Sequence, residues 1–137
     1  MPIKDDALAF FDACETGKGW AVCQQWCRPD AVFTAQADAL AGVNTVQDYT
    51  EWMAHLAPAL PDMRYEMLGF AVDEERSTVV GAAVFHATHT GEGGPVPPTG
   101  KSIASDYCYV FRFNGGKIAN MTKIWNDAYA MREAGWA

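Results

Sequence analysis

Two histidines, His86 and His89, carry the side chains best suited to acid–base chemistry near neutral pH. They stand three residues apart in a segment that predicts a strand, so their side chains should point to opposite faces. That spacing argues against a shared metal site, and we expect no metal. One of the two should face the interior, where a histidine can act as a general base. His89 precedes a glycine- and proline-rich loop at the expected rim of a pocket, so we take it as the base and keep His86 as a pocket-lining candidate. The alternative for either is a hydrogen-bonded structural histidine.

Four cysteines could in principle form disulfides or bind a metal: Cys14, Cys23, Cys27 and Cys108. Cys23 and Cys27 lie four apart, but a structural zinc site needs a matching second pair of ligands, which the other two do not supply. A chain of this size does not need disulfides to fold. We therefore predict reduced, mostly buried cysteines that pack as small apolar side chains.

The composition of the chain further limits its domain number, its binding partners and its location. The chain has 137 residues, half of them hydrophobic and 12% aromatic, which fits one domain over residues 1–137 with a real core. Its net charge of −7 argues against nucleic-acid binding, because such proteins need a positive surface. No apolar run reaches the roughly 20 residues needed to span a bilayer, and no secretory signal precedes the first helix. These features predict a cytoplasmic protein that binds neither nucleic acid nor membrane.

Helical and strand patterns occupy different parts of the chain. Three helices are predicted first, from Asp5 to the break at Gly17, over residues 20–27, and from about Thr45 to about 57, with Trp52 on the apolar face of the third. A short strand, residues 31–36, separates the second and third helices. The remaining predicted elements are strands over residues 63–72, 78–90, 101–113 and 117–126, followed by a helical tail over residues 128–134.

This order predicts an α+β fold in which N-terminal helices pack on one face of a curved antiparallel sheet. Asn114, Gly115 and Gly116 form the tight turn expected of a β-hairpin. A curved sheet of this kind can form an open cone, with a small-molecule pocket between the sheet and the helices.

Two segments resemble a known family. Residues 89–101, HTGEGGPVPPTGK, are similar to a segment of SnoaL-like polyketide cyclases, and residues 111–118, FRFNGGKI, are similar to their final hairpin. The resemblance covers essentially the whole chain and implies the nuclear transport factor 2-like (cystatin-like) cone. It specifies the fold better than the chemistry, because this superfamily holds cyclases, isomerases, dehydratases and non-catalytic binders.

The resemblance also implies site residues. Cyclases of this family close rings by an aldol reaction, which needs a base beside a carbonyl and a donor for the enolate, with no cofactor. Aligning the final hairpin with that of ketosteroid isomerases places their donor acid on Tyr109, which can still donate a hydrogen bond. Their base falls near Ala35, which cannot take a proton. Gln36 is the nearest polar residue, and we expect it to line the pocket without acting as a base.

The same alignment turns one set of side chains inward. Tyr107 and Phe111 share the face of Tyr109 on one strand, because alternate residues point the same way. On the last strand, Met121, Lys123 and Trp125 should face in. These rings either fill the core alone or line a pocket for a flat apolar ligand. Lys123 either enters the pocket, where it could stabilise an enolate or act as a base, or turns to solvent at a bulge.

Two acids remain undecided between a structural and a chemical role. Asp106 has the opposite parity to Tyr109 and should face out, whereas Asp127 follows the last strand and could cap the tail helix. SnoaL-like cyclases use a pocket aspartate late in the chain, but neither residue falls clearly on that position.

Three hypotheses follow for function. The first is a cofactor-free enzyme that acts by acid–base chemistry on a hydrophobic carbonyl compound, as a cyclase, isomerase or dehydratase, with His89, Tyr109 and Lys123 as catalytic residues. The second is a module that binds a small hydrophobic molecule without turnover. The third is a scaffold whose cone is filled by its own side chains. The resemblance also implies a homodimer through the outer face of the sheet.

Overall fold

The helices and strands follow the predicted order in a computed structural model, which describes residues 2–137. Short 3-10 turns at Gln24–Trp26 and Asp38–Leu40 connect the first elements. The main elements are α1 (Ile3–Glu15), α2 (Trp20–Cys23), β1 (Cys27–Ala35), α3 (Val46–Leu56), β2 (Arg64–Asp73), β3 (Thr78–Thr88), β4 (Ser102–Asn114), β5 (Lys117–Trp125) and α4 (Asp127–Ala134).

The five strands form one curved, open sheet in the order β1-β5-β4-β3-β2. Neighbours among β2 to β5 pair antiparallel, with Tyr109 opposite Lys123 and Tyr107 opposite Trp125 across β4 and β5. This register brings the polar groups of two strands to the same level of the sheet. The fold is therefore the predicted α+β arrangement, with helices on the concave face.

Strand β1 differs from its prediction in length and direction. The predicted helix over residues 20–27 stops at Cys23, and the extended chain already begins at Cys27. Pro29 has no N–H to donate and lies where the pairing of β1 with β5 is irregular, which an edge strand tolerates. β1 runs parallel to β5, because most of the chain separates them and no hairpin sets their direction.

Capping residues position the helices that cover the sheet. Asp5 and Asp6 lie in the first turn of α1, where negative charge suits the helix dipole. The side chain of Thr45, the predicted N-cap of α3, accepts a hydrogen bond from the backbone N–H of Asp48 at 3.1 Å. After α1 the chain turns at Gly17, whose φ of 76° favours glycine. These ends hold α1 and α3 against the concave face.

The core lies between α1, α3 and the concave face of the sheet. Alternate residues of β4 point into it, including Tyr109 and Phe111, which are fully buried. The opposite face carries Leu68 and Ile124, which are 61% and 60% exposed. Among the described residues, the helices are all too short and too polar to cross a membrane. All four cysteines are free, and three of them are buried.

Candidate functional site

A small cavity lies between the concave face of the sheet, α3 and α4. Its volume is about 40 Å³, which is room for about three water molecules or a few ligand atoms. Most of its wall is apolar, and Trp136 from the C-terminal tail forms part of it. The polar side chains in the wall are Glu15, Ser105, Tyr107 and Lys123. Such a cavity, apolar with a few convergent polar groups, is typical of a small-molecule site.

Glu15 provides a buried carboxylate in this wall. It is the last residue of α1 and only 1% exposed. The hydroxyl of Tyr107 donates a hydrogen bond to its Oε2 at 2.7 Å, and that of Tyr109 donates to its Oε1. Burial raises the pKa of Glu15, although Lys123 and the two tyrosines act in the opposite direction. The carboxylate is therefore both fixed in orientation and more basic than an exposed one.

Two tyrosine hydroxyls connect Glu15 to Lys123. The Nζ of Lys123 donates to the hydroxyl of Tyr49 at 2.9 Å, and that hydroxyl bonds the hydroxyl of Tyr109. Since the proton of Tyr109 goes to Glu15, its oxygen must accept the proton of Tyr49. Every hydrogen bond in the chain from lysine to glutamate thus points the same way. Such a chain can pass a proton from the ammonium to the carboxylate.

The amine of Lys123 is enclosed by aromatic rings. Its side chain is buried, and Nζ lies 3.9 Å from the ring centroid of Trp125 and 5.2 to 5.8 Å from those of four other rings. Burial lowers the pKa of Lys123 to about 8, although Glu15 raises it. In the described chain no carboxylate oxygen lies within 4.0 Å of Nζ. The cage therefore favours a lysine that can lose its proton near neutral pH.

Ser105 adds a hydroxyl to the same wall. It is 2% exposed, and its Oγ accepts a hydrogen bond from the indole Nε1 of Trp125 at 3.0 Å. The bond fixes the position of the oxygen and leaves the hydroxyl proton available. Ser105 can therefore donate to a ligand oxygen inside the cavity.

His89 is buried outside the cavity wall, contrary to its predicted place at the rim. Its Nδ1 accepts hydrogen bonds from the indole Nε1 of Trp136 at 2.9 Å and from the backbone N–H of Thr99 at 3.3 Å. An Nδ1 that accepts leaves the proton on Nε2, which has no partner. His89 thus holds Trp136 in the cavity wall, and its acceptor nitrogen is already occupied.

Replacing His89 with phenylalanine should loosen Trp136. An aromatic ring is kept, but the indole N–H loses its acceptor, at a cost of about 1 kcal/mol in unfolding free energy. We expect faster hydrogen exchange of the Trp136 indole N–H, measured by NMR. His55→Phe, at an exposed histidine of α3, is the control and should leave that exchange rate unchanged. An unchanged rate in His89→Phe would show that His89 does not hold Trp136.

Four of the predicted site residues come together around the cavity: Trp52, Tyr107, Lys123 and Trp125. The sequence allows Lys123 either to enter the pocket or to turn to solvent. In the structure its side chain points inward and is buried. Tyr109 lies behind the wall as a link between Tyr49 and Glu15.

The other predicted residues lie elsewhere. Phe111 and Met121 are buried in the core away from the cavity wall, and Gln36 is exposed just beyond β1. His86 points to the opposite face of the sheet, where its Nε2 lies 3.2 Å from Glu66. Strand alternation is the reason, since His86 has the opposite parity to the inward residues of β3. These four placements keep Gln36, His86, Phe111 and Met121 out of the cavity wall.

The structure also shows where Asp106 and Asp127 lie. Asp106 is exposed on the outer face, as its parity predicted. The cap of α4 is Asn126, whose side chain accepts from the N–H of Tyr129, whereas Asp127 accepts from the backbone N–H of Ala39 at 2.9 Å. Neither acid reaches the cavity, and residues 2–137 hold no cluster of three or more His, Cys, Asp or Glu side chains suited to a metal ion.

Three functional candidates were missed by sequence reasoning: Glu15, Tyr49 and Ser105. Glu15 stands four residues after Phe11 on the apolar face of α1, which was a usable indication that it is buried. Ser105 shares the parity of Tyr107 and Tyr109 on β4 and could have been found by the same alternation. Tyr49 belonged to the predicted apolar face of α3, but nothing local to it indicates a hydroxyl partner.

Solved structures share this fold. A candidate SnoaL-like polyketide cyclase from Jannaschia sp. CCS1 matches with a TM-score of 0.79 and 16% identity, over 99% of this chain and 93% of its own. AclR, a candidate hydroxylase from Streptomyces galilaeus, matches with 0.77 and 21%, over 98% and 85%. IdmH, a candidate polyketide cyclase from Streptomyces antibioticus, matches with 0.76 and 20%, over 98% and 99%. At these identities the likeness concerns the fold alone.

Sequence comparison assigns the family. No curated protein matches the chain. The family model of the SnoaL-like domain matches residues 7–121, a span from the second turn of α1 to the middle of β5. That span holds Glu15, Tyr49, Ser105 and the two tyrosines of β4, and it ends two residues before Lys123. The chain belongs to the SnoaL-like domain family.

Proposed function

We propose that the cavity is the active site of an enzyme that acts by general acid–base chemistry on a small hydrophobic carbonyl compound. The reaction class is that of a cyclase, isomerase or dehydratase, each of which moves a proton next to a carbonyl group. One observation carries the proposal: a buried carboxylate, Glu15, and a buried amine, Lys123, line the same apolar cavity. Titratable groups with shifted pKa values in a cavity are typical of catalytic sites.

Glu15 is the base in this proposal. Tyr107 and Tyr109 hold its carboxylate in one orientation, and burial raises its pKa toward the range in which it takes a proton effectively. Removal of a proton beside the carbonyl group leaves negative charge on the carbonyl oxygen. The ammonium of Lys123 and the hydroxyl of Ser105 supply hydrogen bonds to that oxygen in a site that excludes water. Tyr109, predicted as a donor to substrate, acts here as a positioning residue for Glu15.

The names of two structural relatives agree with this class of chemistry. Both are candidate polyketide cyclases, whereas the third is a candidate hydroxylase, a different reaction class. The cavity of about 40 Å³ is small for a polycyclic compound, so a substrate of a few heavy atoms, or the end of a larger one, fits it best.

Exchange of α-protons tests the proposal without knowledge of the natural substrate. Small ketones and aldehydes are incubated with the protein in D₂O, and loss of the α-proton signal is followed by NMR. The wild type should accelerate exchange of at least one compound, and Glu15→Gln should reduce that rate by about 10²- to 10⁴-fold. Asp106→Asn, at an exposed acid on the outer face, should retain the wild-type rate. Equal rates for the wild type and Glu15→Gln would contradict the proposal.

A binding module without turnover is the second candidate. It is favoured by the closed hydrogen-bond chain, in which Glu15 already accepts from two hydroxyls and Lys123 already donates to one. Such a module would show ligand-induced shifts of cavity residues but no exchange above the buffer rate.

A further inference from the structure

We propose that Lys123 forms a covalent imine with a small aldehyde or ketone bound in the cavity. The inference rests on the proposed function, since both place a carbonyl group beside the same amine. It adds a bond that acid–base catalysis does not require, and it narrows the ligand class to carbonyl compounds unhindered enough to reach a buried nitrogen.

The surroundings of Nζ suit a nucleophile better than a fixed cation. Its one hydrogen bond goes to the hydroxyl of Tyr49, and the next groups around it are ring faces of Trp125 and other aromatic side chains. A lysine kept for structure alone commonly pairs directly with a carboxylate, whereas here the carboxylate of Glu15 is reached only through two hydroxyls. A desolvated amine in an apolar pocket is a recognised setting for imine formation.

Glu15 provides the destination for the proton that Lys123 must lose. The amine passes a proton to Tyr49, Tyr49 passes its own to Tyr109, and Tyr109 passes its own to Glu15. No tyrosine remains charged after this transfer. Burial lowers the pKa of Lys123 and raises that of Glu15, so both shifts favour the neutral amine and the neutral acid.

Ser105 can hold the carbonyl group for attack. Its hydroxyl proton is available, and its oxygen is fixed by the indole N–H of Trp125. Ser105 and Lys123 both line the cavity, so a carbonyl oxygen bonded to Ser105 lies in the same small volume as the amine. A compound of three or four heavy atoms matches that volume.

The step balances without any oxidant or reductant. The amine lone pair forms a C–N bond to the carbonyl carbon while the C–O π bond opens, and the oxygen takes a proton to give a carbinolamine. That proton comes from the nitrogen. Glu15, which lines the cavity, then gives the hydroxyl the proton it received from Lys123, and the hydroxyl leaves as water while the nitrogen lone pair forms the C=N bond. The protonated imine keeps the last nitrogen proton, and the carboxylate of Glu15 balances its charge. One carbonyl group and one amine give one imine and one water.

Reductive trapping tests the proposal on the unaltered protein. The wild type is incubated at pH 7 with propanal and sodium cyanoborohydride, which reduces an imine to a stable secondary amine, and digested peptides are mapped by mass spectrometry. Lys18 and Lys101, both exposed, are internal controls. An ordinary lysine, with a pKa near 10.4, is almost fully protonated at this pH, so Lys123 should gain a propyl group at least about tenfold faster. The rate at Lys123 should rise through pH 8.

Two outcomes separate this proposal from the proposed function. If propyl groups appear on exposed lysines while Lys123 remains unmodified, the imine proposal is overturned, even where Glu15-dependent α-proton exchange persists. If Lys123 is modified but Glu15→Gln exchanges α-protons as fast as the wild type, the imine stands and the base role of Glu15 fails. Lys123→Met should remove the fast modification and leave the slow reaction of Lys18 and Lys101 as it was.

Discussion

The double variant Glu15→Gln/Lys123→Met is expected to lose less unfolding free energy than the two single variants lose in sum. The expected difference is about 2–3 kcal/mol. Each single change leaves the other group buried with its opposite charge removed, and an isolated buried charge is expensive. The double change removes both charges and replaces them with neutral side chains of similar size. The difference is the coupling free energy between carboxylate and amine.

An exposed ion pair offers a matched control for this cycle. Arg76, in the turn after β2, lies 2.8 Å from Asp73, the last residue of that strand, and their side chains are 73% and 40% exposed. Asp73→Asn and Arg76→Met should couple by less than about 1 kcal/mol, because water screens the pair. Unfolding in urea, followed by circular dichroism at pH 7, measures both cycles. A coupling for Glu15 and Lys123 no larger than that of the control would mean that the hydroxyl chain does not link them.

The inward side of the sheet could be predicted because strand alternation is a local rule. Once Tyr109 was placed inside, Tyr107 on the same strand and Lys123 and Trp125 on the next followed from parity and from the hairpin turn at Gly115. The tight turn sets the register, so an error of one residue would have turned all of these side chains outward. The fold and one wall of the cavity were therefore within reach of the sequence.

The rest of the site depends on contacts between distant parts of the chain. Glu15 meets Tyr107 and Tyr109 across more than 90 residues of sequence, and no local pattern states that two hydroxyls converge on one carboxylate. His89 was placed at the rim by its neighbouring loop, but Trp136 occupies its Nδ1. The usual pKa of histidine, near neutral, favours His89 as the base when only the sequence is considered. In the folded protein, burial shifts the pKa values of Glu15 and Lys123 instead.

Raising the pH from 8 to 9.5 should stabilise the wild type relative to the Glu15→Gln/Lys123→Met double variant by up to about 1.4 kcal/mol per pH unit. The pKa of Lys123 in the folded protein is lowered from 10.5 to about 8. Between those values the unfolded chain holds a proton that the folded chain has released, so higher pH favours the folded state. Below about pH 8 Lys123 is protonated in the folded and the unfolded chain, so burial of its ammonium destabilises the wild type. The double variant has no ammonium at this position and lacks that destabilisation.

Groups other than Lys123 also change the unfolding free energy between pH 8 and 9.5. Burial raises the pKa of Cys23 and Cys27 to about 12, so their thiols ionise first in the unfolded chain and alkaline pH destabilises every variant alike. Subtracting the urea unfolding free energies of the two proteins at each pH removes this shared effect. A difference that stays constant from pH 7 to 9.5 would show that Lys123 keeps an ordinary pKa. With an ordinary pKa near 10.4 the amine would stay protonated throughout this pH range, and neither proton transfer to Glu15 nor imine formation could proceed from it readily.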